Sequence, residues 1–160
     1  ERSKINSSLS LVAKKESLKR RFVMRGIARG TIVIPLNKNH KIKQPCGIGQ
    51  GLTTKVNANI GTSPDKSDLA SEINKLKVAV SSGADTVMDL SVGGDLSRIL
   101  KTLLLKSAVP LGTVPIYQAA VAAQKQKKSF LNMTANDMLR VIELQAKLGV
   151  DFFTIHSGVT

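Results

Sequence analysis

The chain alternates between short runs rich in β-branched residues and longer stretches in which apolar residues recur every three or four positions. From about residue 53 onwards the alternation repeats four times, which is typical of βα units built on a parallel sheet. The predicted strands are residues 54–59, 85–90, 109–114 and 151–156. The pattern therefore predicts an α/β protein.

Start and stop signals delimit the helices between these strands. A side chain able to cap a helix precedes three of them, and glycine stands where two of them should end. The expected helices run from Ser67 to Gly83, from Asp95 onwards, from Gln118 to Gln124 and from Thr134 to Gly149. The last begins with a sequence close to a capping box, with Asp137 in place of the usual Glu. Residues 125–128 are expected to form a polar loop.

Two architectures fit four successive βα units: half of an eight-stranded barrel, or a four-stranded doubly wound sheet. Polar or chemically useful side chains stand at or just past the carboxyl end of every predicted strand. They are Asn57, Asn59, Met88, Asp89, Ser91, Thr113, Tyr117, His156 and Ser157. In a barrel all these ends meet at one mouth, whereas a doubly wound sheet binds ligand mainly at one switch point. We therefore predict a (β/α)8 TIM-barrel type fold, with a lead-in segment at residues 1–52 and the first half of the barrel at residues 53–160.

Basic residues are concentrated near the N-terminus. The formal net charge is +13, and residues 1–43 hold 12 of the 24 basic residues but only two of the 11 acidic ones. Residues 14–29 are expected to form one basic amphipathic helix, closed by Gly30, whose apolar positions are Leu18, Phe22 and Ile27. Such a charge run is usually a solvated face, and one Tyr, four Phe and no Trp offer few surfaces for stacking bases. Nucleic acid is therefore an unfavoured partner.

The remaining composition excludes several kinds of protein and site. No apolar run approaches the roughly 18 to 20 residues of a membrane-spanning helix, and there is no secretory signal sequence. The single cysteine, Cys46, cannot by itself form a disulfide, a four-thiolate metal site or an iron–sulfur cluster site, and we expect its thiol to be inert. The glycines of residues 47–51 precede a strand instead of opening a helix, so we interpret them as a turn in preference to a phosphate loop.

Four longer strings match consecutive blocks of one enzyme family. They are KVNANIGTS at residues 55–63, GADTVMDLS at 83–91, GTVPIYQ at 112–118 and GVDFFTIH at 149–156. In this order they closely resemble the phosphomethylpyrimidine synthases, the thiamine pyrimidine synthases of the radical S-adenosylmethionine superfamily. Residues 33–40 look like the family's Ile-Pro-Ala-Asn-Ile-Asn-His segment, with departures at Leu36 and Lys38. The resemblance covers residues 12–160 and leaves residues 1–11 unmatched.

The resemblance implies a (β/α)8 barrel enzyme of thiamine biosynthesis. The family rearranges 5-aminoimidazole ribotide into 4-amino-5-hydroxymethyl-2-methylpyrimidine phosphate, as a carbon–carbon lyase that uses S-adenosylmethionine and a [4Fe–4S] cluster. Carried over by motif position, the ribotide-binding residues of this chain are Asn59, Met88, Tyr117 and His156. Amide, phenol and imidazole groups can hydrogen-bond the ligand, and a thioether supplies an adaptable apolar contact. Asp89 is ranked below these four because the motif does not mark it as a ligand.

The resemblance also implies groups that this chain does not supply. The family's later blocks carry phosphate and ribose contacts, two zinc-binding histidines and the Cys-x-x-Cys-x-x-x-x-Cys motif of the cluster, and none of these occurs in the 160 residues. Substrate binding is therefore expected here, with no cofactor or metal ligands. We expect an inactive fragment of a longer, homodimeric enzyme.

Two alternatives remain open. Anaerobic 5-hydroxybenzimidazole synthase resembles this family and uses the same ribotide, so this part of the chain cannot separate the two products. The chain could also be a truncated, non-catalytic relative whose basic helix binds an acidic partner or RNA. The absence of cysteine pairs and of a signal sequence fits a cytoplasmic location, or a plastid in a plant or alga.

Overall fold

The computed structural model describes residues 2–125 and 132–158. Within them the helices are α1 (Arg2–Lys15), α2 (Arg20–Ala28), α3 (Leu69–Ser81), α4 (Leu96–Lys106), α5 (Pro115–Lys125) and α6 (Ala135–Leu148). The strands are β1 (Ile32–Val33), β2 (Ile48–Gly49), β3 (Asn57–Ile60), β4 (Thr86–Asp89), β5 (Leu111–Thr113) and β6 (Phe152–Phe153). None of these helices combines the length and apolar character needed to cross a membrane.

Strands β3 to β6 form one parallel four-stranded sheet in the order of the sequence. Leu76 of α3, Leu103 of α4 and Leu148 of α6 pack in one apolar cluster with Val87 and Leu111 of the sheet. These three helices therefore cover the same side of the sheet, which we call the helix-packed face, and the opposite side is the open face. A doubly wound sheet would carry helices on both faces.

The predicted elements of the βα region are confirmed, although every strand is shorter than predicted. The Asp95 carboxylate caps α4 by accepting from a backbone N–H. Thr134 and Asp137 cap α6 reciprocally, and Gly149 ends it with a left-handed φ of 119°. Helix α3 is capped by Asp68, one residue after the predicted start at Ser67. The polar loop predicted after α5 lies outside the described residues, apart from the helix-terminal residue 125.

The single basic helix predicted for residues 14–29 is wrong, because the chain turns between α1 and α2. Ser17 in this turn has a left-handed φ of 55°. The turn directs Glu16 towards the segment that leads into β3, where its carboxylate accepts from the N–H and hydroxyl of Thr53 and pairs with Lys55 at 2.8 Å. These hydrogen bonds and the ion pair with Lys55 outweigh the cost of burial and lower the pKa of Glu16. The break thus anchors the N-terminal helices to the sheet.

The apolar face of this region also differs from the prediction. Phe22 and Ile27 are exposed, whereas Val23 is fully buried against residues of α1 and β1. The difference arises because α1 and α2 pack on one another, so the contact face of α2 is set by a partner helix. Gly26 lies in close contact with β1. A Cβ at this position would lie 2.3 Å from the Ile32 side chain. Gly30 ends α2 with a φ of 71°, as predicted.

The glycine-rich residues 47–51 contain a strand as well as a turn. Strand β2 pairs antiparallel with β1, and the turn is confined to Gln50 and Gly51. A Cβ at Gly49 would lie 2.1 Å from the carbonyl oxygen of Thr31. Glycine is therefore required here by close approach of two backbones.

Candidate functional site

Hydrogen-bond register determines which side chains share the open face. Asn57 is level with Thr86, Asn59 with Met88, and Met88 with Gly112 on the next strand. Since level residues of parallel strands point to the same side, the register assigns each strand residue to one of the two faces. The open face carries Asn57, Asn59, Thr86, Met88 and Phe152. The helix-packed face carries Ala58, Ile60, Val87, Asp89, Leu111, Thr113 and Phe153.

Three polar side chains on the open face form a continuous chain of hydrogen bonds. The Thr86 hydroxyl donates to Asn57 Oδ1 at 2.8 Å, and Asn57 Nδ2 donates to Asn59 Oδ1 at 2.8 Å. We call these three residues the amide ladder. Asn59, a predicted ribotide ligand, is therefore held by its oxygen, near the carboxyl end of β3.

Met88, the second predicted ligand, lies beside Asn59 on β4. The hydroxyl of Thr154 donates to its sulfur at 3.7 Å, which restrains an otherwise flexible thioether. The Phe152 ring lies over Gly112 on the same face, where an added Cβ would be 2.3 Å from ring atoms. A cavity of about 510 Å³ opens on this face, lined by Asn57, Thr86, Met88, Phe152 and the lead-in residues 48, 49 and 52–55.

Tyr117 and His156, the other two predicted ligands, come from different elements and meet. Tyr117 lies in the first turn of α5, after the carboxyl end of β5, and His156 follows β6. Their rings are stacked with centroids 6.4 Å apart and an interplanar angle of 27°. The four predicted ligands are thus arranged as two pairs, Asn59 with Met88 and Tyr117 with His156. Amide, thioether and two polar aromatic rings can bind a planar heterocycle that also carries hydrogen-bonding groups.

Asp89 and Thr113 lie on the opposite side of the sheet from Asn59 and Met88, but with Ser91 they line a small pocket that also includes Tyr117. The strand-end side chains therefore do not all meet at one mouth, contrary to expectation. Asp89 and Thr113 each point to the helix-packed face, because each follows an open-face residue by one position. Asp89 accepts from the N–H and hydroxyl of Ser91, and Thr113 donates to Gln145 of α6 at 2.7 Å. Burial raises the pKa of Asp89, and the hydrogen bonds from Ser91 only partly offset this effect. Thr113 thus links β5 to α6, and Asp89 is bonded to Ser91, which follows β4.

The segment resembling Ile-Pro-Ala-Asn-Ile-Asn-His is bound at the opposite end of the strands. Asn37 N–H donates to Asp151 Oδ1 at 2.8 Å, and His40 Nδ1 donates to Asp151 Oδ2 at 2.6 Å. The same Oδ2 accepts from the backbone N–H of Leu111 at 2.8 Å. Asn37 and Asn39 also donate to carbonyl groups at the C-terminal end of α6. We call Asn37, Asn39, His40 and Asp151 the N-terminal clamp, and its role here is structural.

Cys46, whose thiol is predicted to be inert, is buried. Burial raises the pKa of its thiol to about 11, so the nucleophilic and metal-binding thiolate is scarce at neutral pH. Within residues 2–125 and 132–158, no group of three or more His, Cys, Asp or Glu side chains is placed to hold a metal ion. The residues present therefore do not fit an iron–sulfur cluster or a zinc ion.

Part of the basic charge near the N-terminus is used inside the molecule. Lys15 pairs with Asp85 at 2.7 Å, and Arg20 donates to the side-chain oxygen of Asn6 at 2.8 Å. Burial opposes ionisation of Asp85, but the hydrogen bonds from Lys15 and from the N–H of Val56 outweigh it and lower the pKa of Asp85. The Lys15–Asp85–Val56 contacts join α1 to the residues that precede β3 and β4, and the Arg20–Asn6 hydrogen bond joins α2 to α1.

The class of protein follows from the sheet and its polar edge: an α/β protein of successive βα units, with the predicted ligand-binding side chains near the carboxyl ends of parallel strands. The chain matches the Radical SAM ThiC family over residues 1–160, and it belongs to that family. The match includes residues 1–11, so the expectation that they fall outside the resemblance is wrong.

Curated relatives agree with the family assignment. The chain is 51% identical over 98% of its length to the phosphomethylpyrimidine synthase of Moorella thermoacetica. It is 53% identical over 98% of its length to that of Dehalococcoides mccartyi, and 51% identical over 99% to that of Thermus thermophilus. The chain spans 36 to 37% of the length of these relatives.

Proposed function

We propose that this chain is the substrate-binding part of an enzyme that converts 5-aminoimidazole ribotide into 4-amino-5-hydroxymethyl-2-methylpyrimidine phosphate in thiamine biosynthesis. The relatives carry the name of that activity, and the motif strings that predict ribotide ligands all lie in this chain. In this proposal residues 53–160 are the first half of a (β/α)8 barrel whose interior is the open face. The sequential parallel strands and the one-sided helices support that assignment.

One observation carries the proposal: four motif-matched side chains lie as two pairs, one near and one just beyond the carboxyl ends of the parallel strands. Asn59 and Met88 would contact the ligand from β3 and β4, and Tyr117 with His156 would form an aromatic wall with polar groups at its edge. Neither pair is positioned as a nucleophile with a general base. The proposed role of these residues is to bind and orient the ribotide.

The cofactors of the proposed reaction must be bound by residues outside this chain. S-adenosylmethionine and a [4Fe–4S] cluster would supply the radical chemistry, and zinc is implied by the family. A buried thiol with a pKa of about 11 is unsuited to cluster binding, and His40 is engaged by Asp151. We therefore propose that the chain alone is inactive as a carbon–carbon lyase, that the whole enzyme is a homodimer, and that it works in the cytoplasm.

Ribotide binding by the ¹⁵N-labelled chain tests the substrate assignment directly. We expect 5-aminoimidazole ribotide to shift resonances of the open face and of residues near Tyr117 and His156. The variant Asn59→Ala should weaken binding about three- to tenfold, the value of one lost hydrogen bond. The exposed Asn136→Ala on α6 is the matched control and should bind as wild type does. Shifts confined to α1 and α2, seen with an acidic polymer and not with ribotide, would instead support a non-catalytic relative with a basic binding surface.

Product identity separates the two enzyme alternatives. We would join residues 1–160 to the remainder of the Moorella thermoacetica relative, reconstitute the cluster anaerobically, and supply ribotide, S-adenosylmethionine and a reductant. The pyrimidine phosphate is the expected product. Formation of 5-hydroxybenzimidazole would support the alternative synthase, and turnover by the 160-residue chain alone would contradict the assignment of cofactor ligands to the missing part.

A further inference from the structure

The amide ladder fixes more than the position of Asn59. A side-chain amide has its acceptor oxygen on one side and its NH₂ donor group on the other, so turning the oxygen towards a neighbour directs the NH₂ away from that neighbour. Asn59 Oδ1 accepts from Asn57 Nδ2 at 2.8 Å. The group of Asn59 that remains for a ligand is therefore the NH₂.

Thr86 determines the direction of this ladder. The residue is only 4% exposed, so its hydroxyl proton needs an acceptor within the protein. Asn57 Oδ1 is that acceptor, at 2.8 Å. Because the oxygen of Asn57 faces Thr86, the nitrogen of Asn57 faces Asn59. The Thr86 hydroxyl on β4 therefore sets the orientation of both side-chain amides on β3.

We propose that Thr86 and Asn57 are positioning residues that make Asn59 a hydrogen-bond donor towards the substrate. The site would then select a ligand with an acceptor atom at this position, such as a ring nitrogen or a ribose oxygen, and would disfavour one with a donor there. This inference rests on the proposed function, because it concerns the ribotide contact of Asn59. Neither Asn57 nor Thr86 needs to touch the ligand.

Two substitutions at position 86 test the proposal with a matched control. Thr86→Val keeps the shape of the side chain but removes the hydroxyl, whereas Thr86→Ser keeps the hydroxyl. We expect Thr86→Val to weaken ribotide binding about three- to tenfold and Thr86→Ser to stay near wild type. In the background of Asn59→Ala, Thr86→Val should cost nothing further, because its effect acts through Asn59. Equal losses in both backgrounds would overturn the proposal.

The change Asn57→Asp reverses the ladder. A carboxylate can only accept, so it would accept from Thr86 and from the NH₂ of Asn59, which turns the Asn59 oxygen towards the ligand. Ribotide binding should fall by more than about tenfold, and the loss should persist at 0.5 M salt, where repulsion of the phosphate by the new charge is screened. A loss that disappears with salt would overturn the assignment of direction.

A ligand-free measurement separates this inference from the proposed function. The ¹⁵N and ¹H resonances of the Asn59 NH₂ group should change in Thr86→Val and remain in place in Thr86→Ser. If wild type does not bind ribotide, the proposed function fails, and these resonances still decide whether the ladder exists. Unchanged Asn59 resonances in Thr86→Val would overturn the ladder even if ribotide binds.

Discussion

Met88 and Asp89 are adjacent in the chain, yet one lies on the open face and the other on the helix-packed face. The strand period of two residues separates them. Both are strand-end candidates by sequence, but only Met88 shares the open face with Asn59, whereas Asp89 lines a small pocket with Tyr117. The alternation within β4 is the signal that could have separated them, and it also identifies Thr86, two residues before Met88, as a residue of the same face.

The buried carboxyl of Asp89 gives a pH-dependent prediction. Burial raises its pKa in the folded state, so the folded protein holds this proton more tightly than the unfolded chain does. The carboxyl therefore reduces stability as pH rises from about 4, the value in unfolded chains, through its higher folded pKa. Asp89→Asn, which keeps an oxygen acceptor for Ser91, should be more stable than wild type at pH 7, with the gain disappearing near pH 4.

Urea unfolding between pH 4 and pH 8 measures this effect. Asp89→Ala removes the acceptor as well as the charge, so it should be less stable than Asp89→Asn at every pH. A difference between wild type and Asp89→Asn that does not vary with pH would contradict the prediction.

The elements of the βα region were predictable because their signals are local. The caps of α4 and α6 and the glycine at position 149 act within one turn of helix, and the structure confirms each of them. The break between α1 and α2 was not predictable, because it depends on Glu16 contacting Thr53 and Lys55, some 40 residues further on. A local pattern of basic and apolar residues contains no information about that contact.

The capping box of α6 gives a prediction at this scale. The Thr134 hydroxyl accepts from the N–H of Asp137, and the Asp137 carboxylate accepts from the N–H of Thr134. Thr134→Ala should lower the free energy of unfolding by about 1 kcal/mol. The measurement is chemical denaturation followed by circular dichroism, with Asn136→Ala as the exposed control in the same helical turn. Equal effects of the two changes would show that the cap does not stabilise the helix.

The whole molecule is held together by contacts between distant parts of the chain. The N-terminal clamp joins residues 37–40 to the start of β6 through Asp151, whose side chain is fully buried. The same carboxylate binds the start of β5, so one residue links the lead-in segment and two strands. The lead-in segment is thus packed against the parallel sheet and α6.

Breaking the clamp should affect global stability. Leu111 N–H and His40 Nδ1 both donate to Oδ2 of Asp151. Asp151→Asn replaces this acceptor oxygen with an NH₂ group, which can only donate. We expect a loss of about 3 kcal/mol in the free energy of unfolding, the usual cost of leaving buried polar groups without partners. Asp65→Asn on an exposed loop is the matched control and should change stability by less than about 0.5 kcal/mol. Urea denaturation measures both, and a loss below about 1 kcal/mol for Asp151→Asn would contradict a structural role for the clamp.

The sequence by itself determined the α/β class, the caps of α4 and α6 and the family, because caps, strand alternation and motif strings depend on residues a few positions apart. It also identified Asn59, Met88, Tyr117 and His156 as ribotide ligands by resemblance, which stays a prediction. Only the tertiary structure decided which face each strand residue occupies, how the amide ladder is directed and what the N-terminal clamp binds. These features depend on pairing register and on contacts such as that between Asn37 and Asp151, 114 residues apart, which no local pattern encodes.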